Sequence, residues 1–364
     1  VAAVREAIEE GILPKMIQTG SSGSYFARSK DGMYKGVFKP SDEEPYGNLN
    51  PKRAFLRRYF WWAMGRPCLL AGFSAMSEAG ASLLDDRLAL GMVPKTKLVK
   101  LSSPSFHYHY KDRMAFEHHG QKLPDKIGSF QSFLQGYVMA SSFLRQHPLP
   151  SRPRSGSSSG TTSSSKDTQA VQGSATEVTE EEIAQAEEGA LEEDDFLWTP
   201  ESLMAFRLEL EKLVVFDYLC RNTDRGLDNF MIYHARGAGS NDIRLGAIDN
   251  SLAWPIKHPD GIRDYPYGWL YLPSDLIGGP FSQATKDIFL PLLSSPKWWY
   301  ETEQALLDLF RQDEHFSIKL FESQMAIFKG QGWNILQCLR QDDEGPIELC
   351  ARPKKVVRRS EQII

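Results

Sequence analysis

Three polar residues could carry chemistry here: Asp224, Asn229 and Asp249, set in Arg221-Asn222-Thr223-Asp224-Arg225-Gly226-Leu227-Asp228-Asn229 and Ala247-Ile248-Asp249-Asn250. Phosphoryl transfer uses a carboxylate that receives the acceptor hydroxyl's proton, an amide oxygen about five residues later that holds a metal, and a second carboxylate bridging metal and phosphates. The three residues stand in that order. Taken alone, Asn-Thr-Asp and Asp-Arg-Gly are turn formers, so the reading depends on the elements around them.

Phe230-Met231-Ile232-Tyr233 and Ile243-Arg244-Leu245-Gly246-Ala247-Ile248 are rich in β-formers. Gly237-Ala238-Gly239-Ser240-Asn241 lies between them, and the whole reads as a hairpin that swings Asp249 back beside Asn229. Upstream, Thr199 as N-cap, Pro200 at the first helical position and Glu201 in the first turn open a helix. Its apolar stripe of Leu203, Phe206, Leu210, Leu213 and Val214 runs into the Asp224 motif.

Near the start of the chain, Gly20-Ser21-Ser22-Gly23-Ser24 is a run of small residues whose backbone amides can approach an anion closely. Tyr25-Phe26-Ala27-Arg28 and Tyr34-Lys35-Gly36-Val37-Phe38-Lys39 flank an Asp31-Gly32 hairpin turn. Glycine loop, strand, turn and strand ending in lysine make the roof of a nucleotide pocket, with Lys39 on the α and β phosphates. A solvated strand-end lysine is the commoner fate of a single Lys. Ser77 is expected to cap a helix, and Glu78 is either the carboxylate that holds Lys39 or a first-turn dipole partner. Strands are expected at Thr96–Leu101 and over residues 126–137. The second resembles the connection between two kinase lobes, so backbone groups of Gln131, Ser132, Phe133 and Leu134 would meet the adenine. His107, His109, His118 and His119 fit no zinc spacing and read as part of an exposed loop.

With 364 residues and 41% hydrophobic content, the chain can bury a substantial core as one large or two smaller domains. Its four cysteines lack metal-ligand spacing and read as reduced thiols of a cytosol-facing protein. No secretory signal is visible from Val1 onward, and the most apolar run, residues 59–76, is broken by Gly65, Arg66 and Pro67, which excludes a spanning helix. The net charge of -5 conceals an uneven distribution: residues 151–195 hold 11 acids and 3 bases, a local -8, which leaves about +3 for the rest. That Ser/Gly-rich and then Glu-rich stretch is expected to be a disordered insert. No nucleic-acid partner is expected.

Residues 52–68 place Lys52, Arg53, Arg57, Arg58 and Arg66 among Phe55, Leu56, Tyr59, Phe60, Trp61 and Trp62 without one acid. This suits an anionic membrane surface, where each cation gains about 1 kcal/mol and aromatics sit at headgroup depth; a core helix with a basic edge is the competing reading. After Asp249, a loop carrying Ile262, Tyr265, Tyr267, Trp269 and Tyr271 is placed to grip substrate or membrane, or else forms a buried aromatic cluster. Residues 281–339 read as amphipathic scaffold helices.

Taken together, these pieces resemble the type II phosphatidylinositol 4-kinases. The match runs through Gly20 to Phe26, Val37-Phe38-Lys39-Pro40, Glu43-Glu44-Pro45-Tyr46-Gly47 with Leu49-Asn50-Pro51-Lys52, Ser77 to Leu83, Val93-Pro94, Gly128-Ser129-Phe130-Gln131, Arg221 to Asn229, Ala247 to Asn250, and Lys257-His258-Pro259-Asp260. The resemblance implies an α+β, bilobal, protein-kinase-like fold with a disordered insert: an N-lobe over residues 1–134, a C-lobe over 135–345, and a basic flexible tail over 346–364. It implies ATP, with Mg2+ (Mn2+ as an alternative), as cofactor and transfer of the γ-phosphoryl to the inositol 4-hydroxyl of phosphatidylinositol. The enzyme would be peripheral, on the cytoplasmic face of Golgi, endosomal, vacuolar or plasma membranes. By motif, Gly20, Ser21, Ser22, Gly23, Ser24, Lys39 and Gln131 to Leu134 fall on nucleotide-binding positions. Asp224 and Asn229 fall on catalytic positions, and Asn229 and Asp249 on the metal. Glu44, Pro45 and Tyr46 fall on a substrate-linked segment, while Arg57, Arg58, Tyr59, Phe60, Trp61, Trp62, Ile262, Tyr265 and Trp269 fall where the family meets the bilayer.

One departure bears on anchoring. The family carries a Cys-Cys-Pro-Cys-Cys palmitoylation cluster after Asn-Pro-Lys, whereas here only Cys68 is left to acylate. A single acyl chain binds a membrane marginally, so the basic-aromatic patch is expected to supply most of the anchoring. A catalytically silent membrane scaffold is the alternative. A protein kinase is disfavoured because the His-Arg-Asp and Asp-Phe-Gly signatures are absent.

Overall fold

The β-rich roof forms where the Asp31-Gly32 turn reverses the chain, with Gly32 at φ +79, a conformation that glycine adopts without steric cost. Strands β1 (Lys15–Met16), β2 (Tyr25–Arg28), β3 (Tyr34–Pro40), β4 (Thr96–Leu101) and β5 (Lys126–Ser132) make one antiparallel sheet in the order β1-β2-β3-β5-β4. Its inner face closes a small core of Tyr25, Ala27, Phe38, Leu101, Phe106 and Phe130, joined by Val4 of the helix Ala2–Glu9. The computed structural model describes residues 1–18, 23–44, 47, 49–50, 66–150, 196–235, 242–259 and 263–358.

The larger core is helical. The helix Pro200–Cys220 starts as the sequence dictates: the Thr199 side chain accepts from the Ser202 amide and Pro200 sits in the first turn. Phe206, Leu210, Leu213 and Val214 are buried in one core with residues of the helices Gln283–Leu293, Pro296–Phe310 and Ile318–Leu339. Beside them lies a second sheet, β6 (Val138–Met139), β7 (Phe230–His234) and β8 (Ile243–Ala247), in that order. Phe230 pairs with Ala247 and His234 with Ile243, which is the expected fold-back.

The helix Ser74–Leu88 joins this core rather than the small one, with Met76, Ala81, Leu84 and Leu88 in it. Gly80 makes that possible: a Cβ there would lie 2.9 Å from a Phe310 ring carbon and 3.1 Å from the Trp254 indole nitrogen. The helix begins three residues before the expected Ser77 cap. Ser77 is fully buried instead, donating to the Asn250 carbonyl at 2.6 Å and accepting from the Ala253 amide at 3.2 Å.

Other expectations are corrected. Tyr110–His119 is a helix with no buried residue, ended by Gly120 in the left-handed region, and not a loop. Its polar surface conceals the period that would have announced it. Trp269 does not face a membrane: it is fully buried, and its indole donates to Asp217 at 3.2 Å. The tail from 346 does not begin as flexible chain either. Pro346–Ala351 is a helix capped by Glu348 reaching back to the Gly345 amide, with Leu349 fully buried. Beyond it the Val357 amide donates to Ala326 at 2.9 Å. The basic residues of this segment drew attention from its apolar anchors.

The insert at 151–195 lies outside the described residues, as do Gly20, Ser21, Ser22, Pro45, Tyr46, Ile262 and Arg57 to Trp62. Among the described residues no helix is long and apolar enough to cross a membrane.

Candidate active site

Lys39, at the end of β3, is the cation of the cleft. Its Nζ lies 2.6 Å from Glu78 Oε1 on the helix Ser74–Leu88 and 3.2 Å from Asp249 Oδ1 beyond β8. Burial opposes the charge, but Asp249 and Glu78 outweigh it and hold Lys39 above the usual lysine range. Lys39 in turn holds the Asp249 carboxyl below the usual carboxylate range. Desolvation leaves Glu78 raised despite its lysine. Asp249 sits at φ 51, a left-handed conformation rare for a non-glycine residue and concentrated at functional sites.

Glu44, predicted to contact substrate, turns inward. It is 4% exposed, and burial pushes its carboxyl up to about 8 against a Ser74 hydrogen bond, with Glu78 and Asp249 adding repulsion and Lys39 attraction. The folded value exceeds that of an unfolded glutamate, so between roughly pH 4.5 and 8 the native state binds the extra proton and loses stability as pH rises. Glu44→Gln is therefore expected to flatten that slope. It should stabilise the fold at pH 8 by on the order of a few kcal/mol and change little at pH 4.5, as read by thermal unfolding across the range.

The neighbouring Glu43 fixes this wall. It is fully buried, accepts from Tyr25 Oη at 2.5 Å and the His107 amide at 2.9 Å, and pairs with Lys126 at 2.8 Å. The Gly23 amide donates to its carbonyl at 2.9 Å. A Cβ on Gly23 would lie 2.7 Å from the Glu43 side chain, so the end of the glycine loop can approach only as glycine.

The opposite wall is the turn from Arg221 to Asn229. Arg221, at φ 50, ends the long helix as a left-handed cap. Arg225 is 1% exposed and works from underneath. Its Nε meets both Asp217 oxygens at 3.0 Å, Nη1 donates to the Ile248 carbonyl at 2.7 Å and to the Asn229 carbonyl, and Nη2 donates to Asn250 Oδ1. One side chain thus ties the Asp224 turn to the Asp249 loop. The Thr223 amide donates to Leu252 at 2.9 Å and the Ile248 amide to Asn229 at 3.2 Å.

Above this hub Asp224 points outward, its amide fixed by Asn222 Oδ1 at 2.9 Å and its carboxylate 2.5 Å from Arg66 Nη2. Desolvation raises it, against the pull of Arg66, and Asp249 is near enough to raise it further. Asn229 donates its amide nitrogen to the Asp224 carbonyl at 2.5 Å, which leaves Oδ1 as its available ligand atom. Asn229 Oδ1 and the Asp249 carboxylate are hard oxygen donors, which suit Mg2+ or Mn2+ completed by phosphate oxygens. Among the described residues there is no group of three or more His, Cys, Asp or Glu that could hold a metal ion. Glu44 Oε2 and Glu78 Oε2 are buried without hydrogen-bond partners among the described residues, so the pocket holds unsatisfied carboxyl oxygens on its Lys39 side.

At the expected adenine end, the Ser132 amide donates to Lys95 at 2.9 Å and the Phe133 amide to Lys35 at 3.3 Å. Gln131 is a strand residue paired with Val37 and Thr96. Of the four predicted residues, Leu134 is the one beyond these bonds. Its side chain reaches the spot that a Cβ on Gly246 would occupy, 2.5 Å away. Tyr265 is half-buried at φ 48, its ring 4.3 Å beneath the Arg66 guanidinium, while Tyr267 stacks on Trp269 at 4.8 Å. Among the described aromatics of the loop, Tyr265, Tyr267 and Trp269 therefore pack inward, while Tyr271, at 78% exposure, projects as the sequence reading allows for a residue that grips substrate or membrane. Cys68 is 2% exposed, and burial pushes its thiol up. Sequence reading assigns Arg66 to the membrane patch and no role to Asp217 or Arg225, since their partners Asp224, Trp269 and Asn250 are set by tertiary placement.

Comparisons with known proteins give the chain its family. Residues 21–334 match the family described as phosphatidylinositol 3- and 4-kinase. The chain is 39% identical to phosphatidylinositol 4-kinase LSB6 of Saccharomyces cerevisiae over 96% of its own length and 60% of that protein's. It is 36% identical to phosphatidylinositol 4-kinase type 2-beta of Danio rerio over 99% of this chain and 68% of that one. It is also 36% identical to the type 2-alpha protein of Danio rerio over 98% and 76%. Among solved structures, the Golgi casein kinase superposes loosely, with a TM-score of 0.46 and 14% identity over 92% of this chain and 75% of that one, so the assignment rests on the sequence relatives. By those relatives and by the residues matched, this chain belongs to the phosphatidylinositol 3- and 4-kinase family.

Proposed function

We propose that the chain is the catalytic part of a phosphatidylinositol 4-kinase, moving the γ-phosphoryl of ATP to the 4-hydroxyl of phosphatidylinositol at a membrane surface. The observation that carries this is the bridge from Lys39 to both Glu78 and Asp249, set across the cleft from an outward-facing Asp224. Lys39 braces the α and β phosphates, and Gly23 and Ser24 present backbone to them. Asn229 and Asp249 would hold a divalent cation, Mg2+ or Mn2+, which would supply charge neutralisation to the nucleotide's phosphates. Asp224 orients the inositol hydroxyl and takes its proton. Leu134 with Gly246 forms the adenine end. The names of the relatives support the lipid substrate and the 4-position. The basic-aromatic residues from Arg57 to Trp62 supply the membrane contact.

The test uses radiolabelled ATP with vesicles of phosphatidylinositol in phosphatidylcholine, followed by separation of the 3-, 4- and 5-phosphate products. The expected result is a single labelled lipid, the 4-phosphate, and none from vesicles lacking phosphatidylinositol. Labelled protein without labelled lipid would replace this reading by that of a protein kinase. ATP binding without any transfer would favour a silent scaffold.

A further inference from the structure

The Asp224 carboxylate touches one cation among the described residues, and that cation comes from outside its own turn. Arg66 Nη2 lies 2.5 Å from Asp224 Oδ1, Nη1 donates to the Thr223 carbonyl, and the guanidinium plane rests 4.3 Å over the Tyr265 ring. Three different groups hold this side chain, which is 16% exposed. Tyr265 accepts a left-handed backbone to put its ring there, a strain of the kind found where function requires a placement.

Neither of the cations nearest in sequence or across the cleft can take its place. Arg225, next in the chain, spends its guanidinium on Asp217, Asn250 and two carbonyls below the turn. Lys39 is committed to Glu78 and Asp249 on the opposite wall. Yet the chemistry calls for positive charge beside Asp224. During phosphoryl transfer negative charge spreads over the oxygens of the moving group, and a bare carboxylate at the acceptor hydroxyl repels it. A guanidinium has five N–H donors in a fixed fork. Here two are used, on Asp224 and Thr223, which leaves donors for a third partner.

We propose that Arg66 is a catalytic residue: it screens Asp224 and donates to the oxygens of the transferring phosphoryl group, the part an arginine finger plays when supplied from another protein. The step balances without a covalent role for it. The inositol oxygen forms a bond to the γ-phosphorus, the bond from that phosphorus to the β-phosphate oxygen breaks, its electron pair leaves with ADP, and the hydroxyl proton passes to Asp224. Tyr265 is a positioning residue that fixes the plane of the guanidinium. The inference rests on the lipid-kinase reading above.

The full chain is assayed on phosphatidylinositol vesicles with MgATP as wild type, Arg66→Ala, Arg66→Lys and Asp224→Ala, with and without methylguanidinium. Arg66→Ala is expected to lose about 10³-fold in kcat, by analogy with arginine fingers, while KM for ATP and for lipid and the thermal midpoint stay near wild type. Arg66→Lys, which keeps charge but not the fork, should fall between. Methylguanidinium should restore turnover to Arg66→Ala and not to Asp224→Ala, a rescue that a purely structural role would not show. Near-normal kcat in Arg66→Ala, a loss confined to lipid KM, or a loss that methylguanidinium leaves untouched would overturn the role of Arg66 while leaving the kinase reading in place. No lipid product from the wild type would overturn that reading and the role of Arg66 with it.

Discussion

Asp249→Ala is expected to lower lipid phosphorylation by about 10³-fold or more, because it removes both the carboxylate proposed to bridge the metal and a partner that orients Lys39. The structure indicates how the loss divides. Asp249 is the group that Lys39 holds ionised, and its Oδ1 also accepts from Ser251 at 3.1 Å. Without it, Lys39 retains Glu78 at 2.6 Å, so the fold keeps its buried cation paired and the damage falls on nucleotide and metal. Asp224→Ala should lose a comparable factor, within the ~10²–10⁴ of a general base, but for a different reason. Its carboxylate pairs with Arg66 and not with Lys39, and in the proposed site it stays off the metal, so ATP binding should survive. Steady-state kcat and KM for ATP on vesicles distinguish the two: kcat falls in both, and KM rises markedly in Asp249→Ala alone.

Asp217→Ala is expected to be the most destabilising of the single changes considered. It strips a fully buried carboxylate from a fully buried guanidinium and takes the hydrogen bond from the Trp269 indole as well. Leaving a buried charge unpaired costs about 3–5 kcal/mol, which for a domain of this size lowers the thermal midpoint by roughly 10 °C. Arg225 then has no reason to hold the Asn229, Ile248 and Asn250 groups together, so activity should fall with stability. The double change Asp217→Leu with Arg225→Met removes both charges and should recover much of the stability without recovering turnover. Equal midpoints for wild type and Asp217→Ala would show that the hub is not what ties the two loops.

Local chemistry made much of this legible. Asp31-Gly32 dictated the β2–β3 hairpin, Thr199-Pro200 dictated the start of the long helix, and β-formers on either side of a glycine-rich stretch brought Asp249 back beside Asn229. What stayed hidden depends on partners far apart in the chain. Ser77 reads as a cap because the residues that bury it, Asn250 and Ala253, come more than 170 positions later. Trp269 reads as a membrane anchor because nothing nearby announces Asp217 as its acceptor. Arg66 falls inside a run of cations and aromatics, so its selection by Asp224 and Tyr265 follows from tertiary placement alone. Glu44 kept its address at the site, but burial turned it from a surface contact into a neutral wall of the pocket.

The central claim is that Asn229 and Asp249 carry the cation while Asp224, across the same cleft, does not. Electron paramagnetic resonance of Mn2+ in the presence of a non-hydrolysable ATP analogue tests it most directly. The account predicts nucleotide-dependent Mn2+ binding by the wild type, retained in Asp224→Ala and lost in Asp249→Ala. Binding that survives in Asp249→Ala, or that vanishes equally in Asp224→Ala, would contradict it.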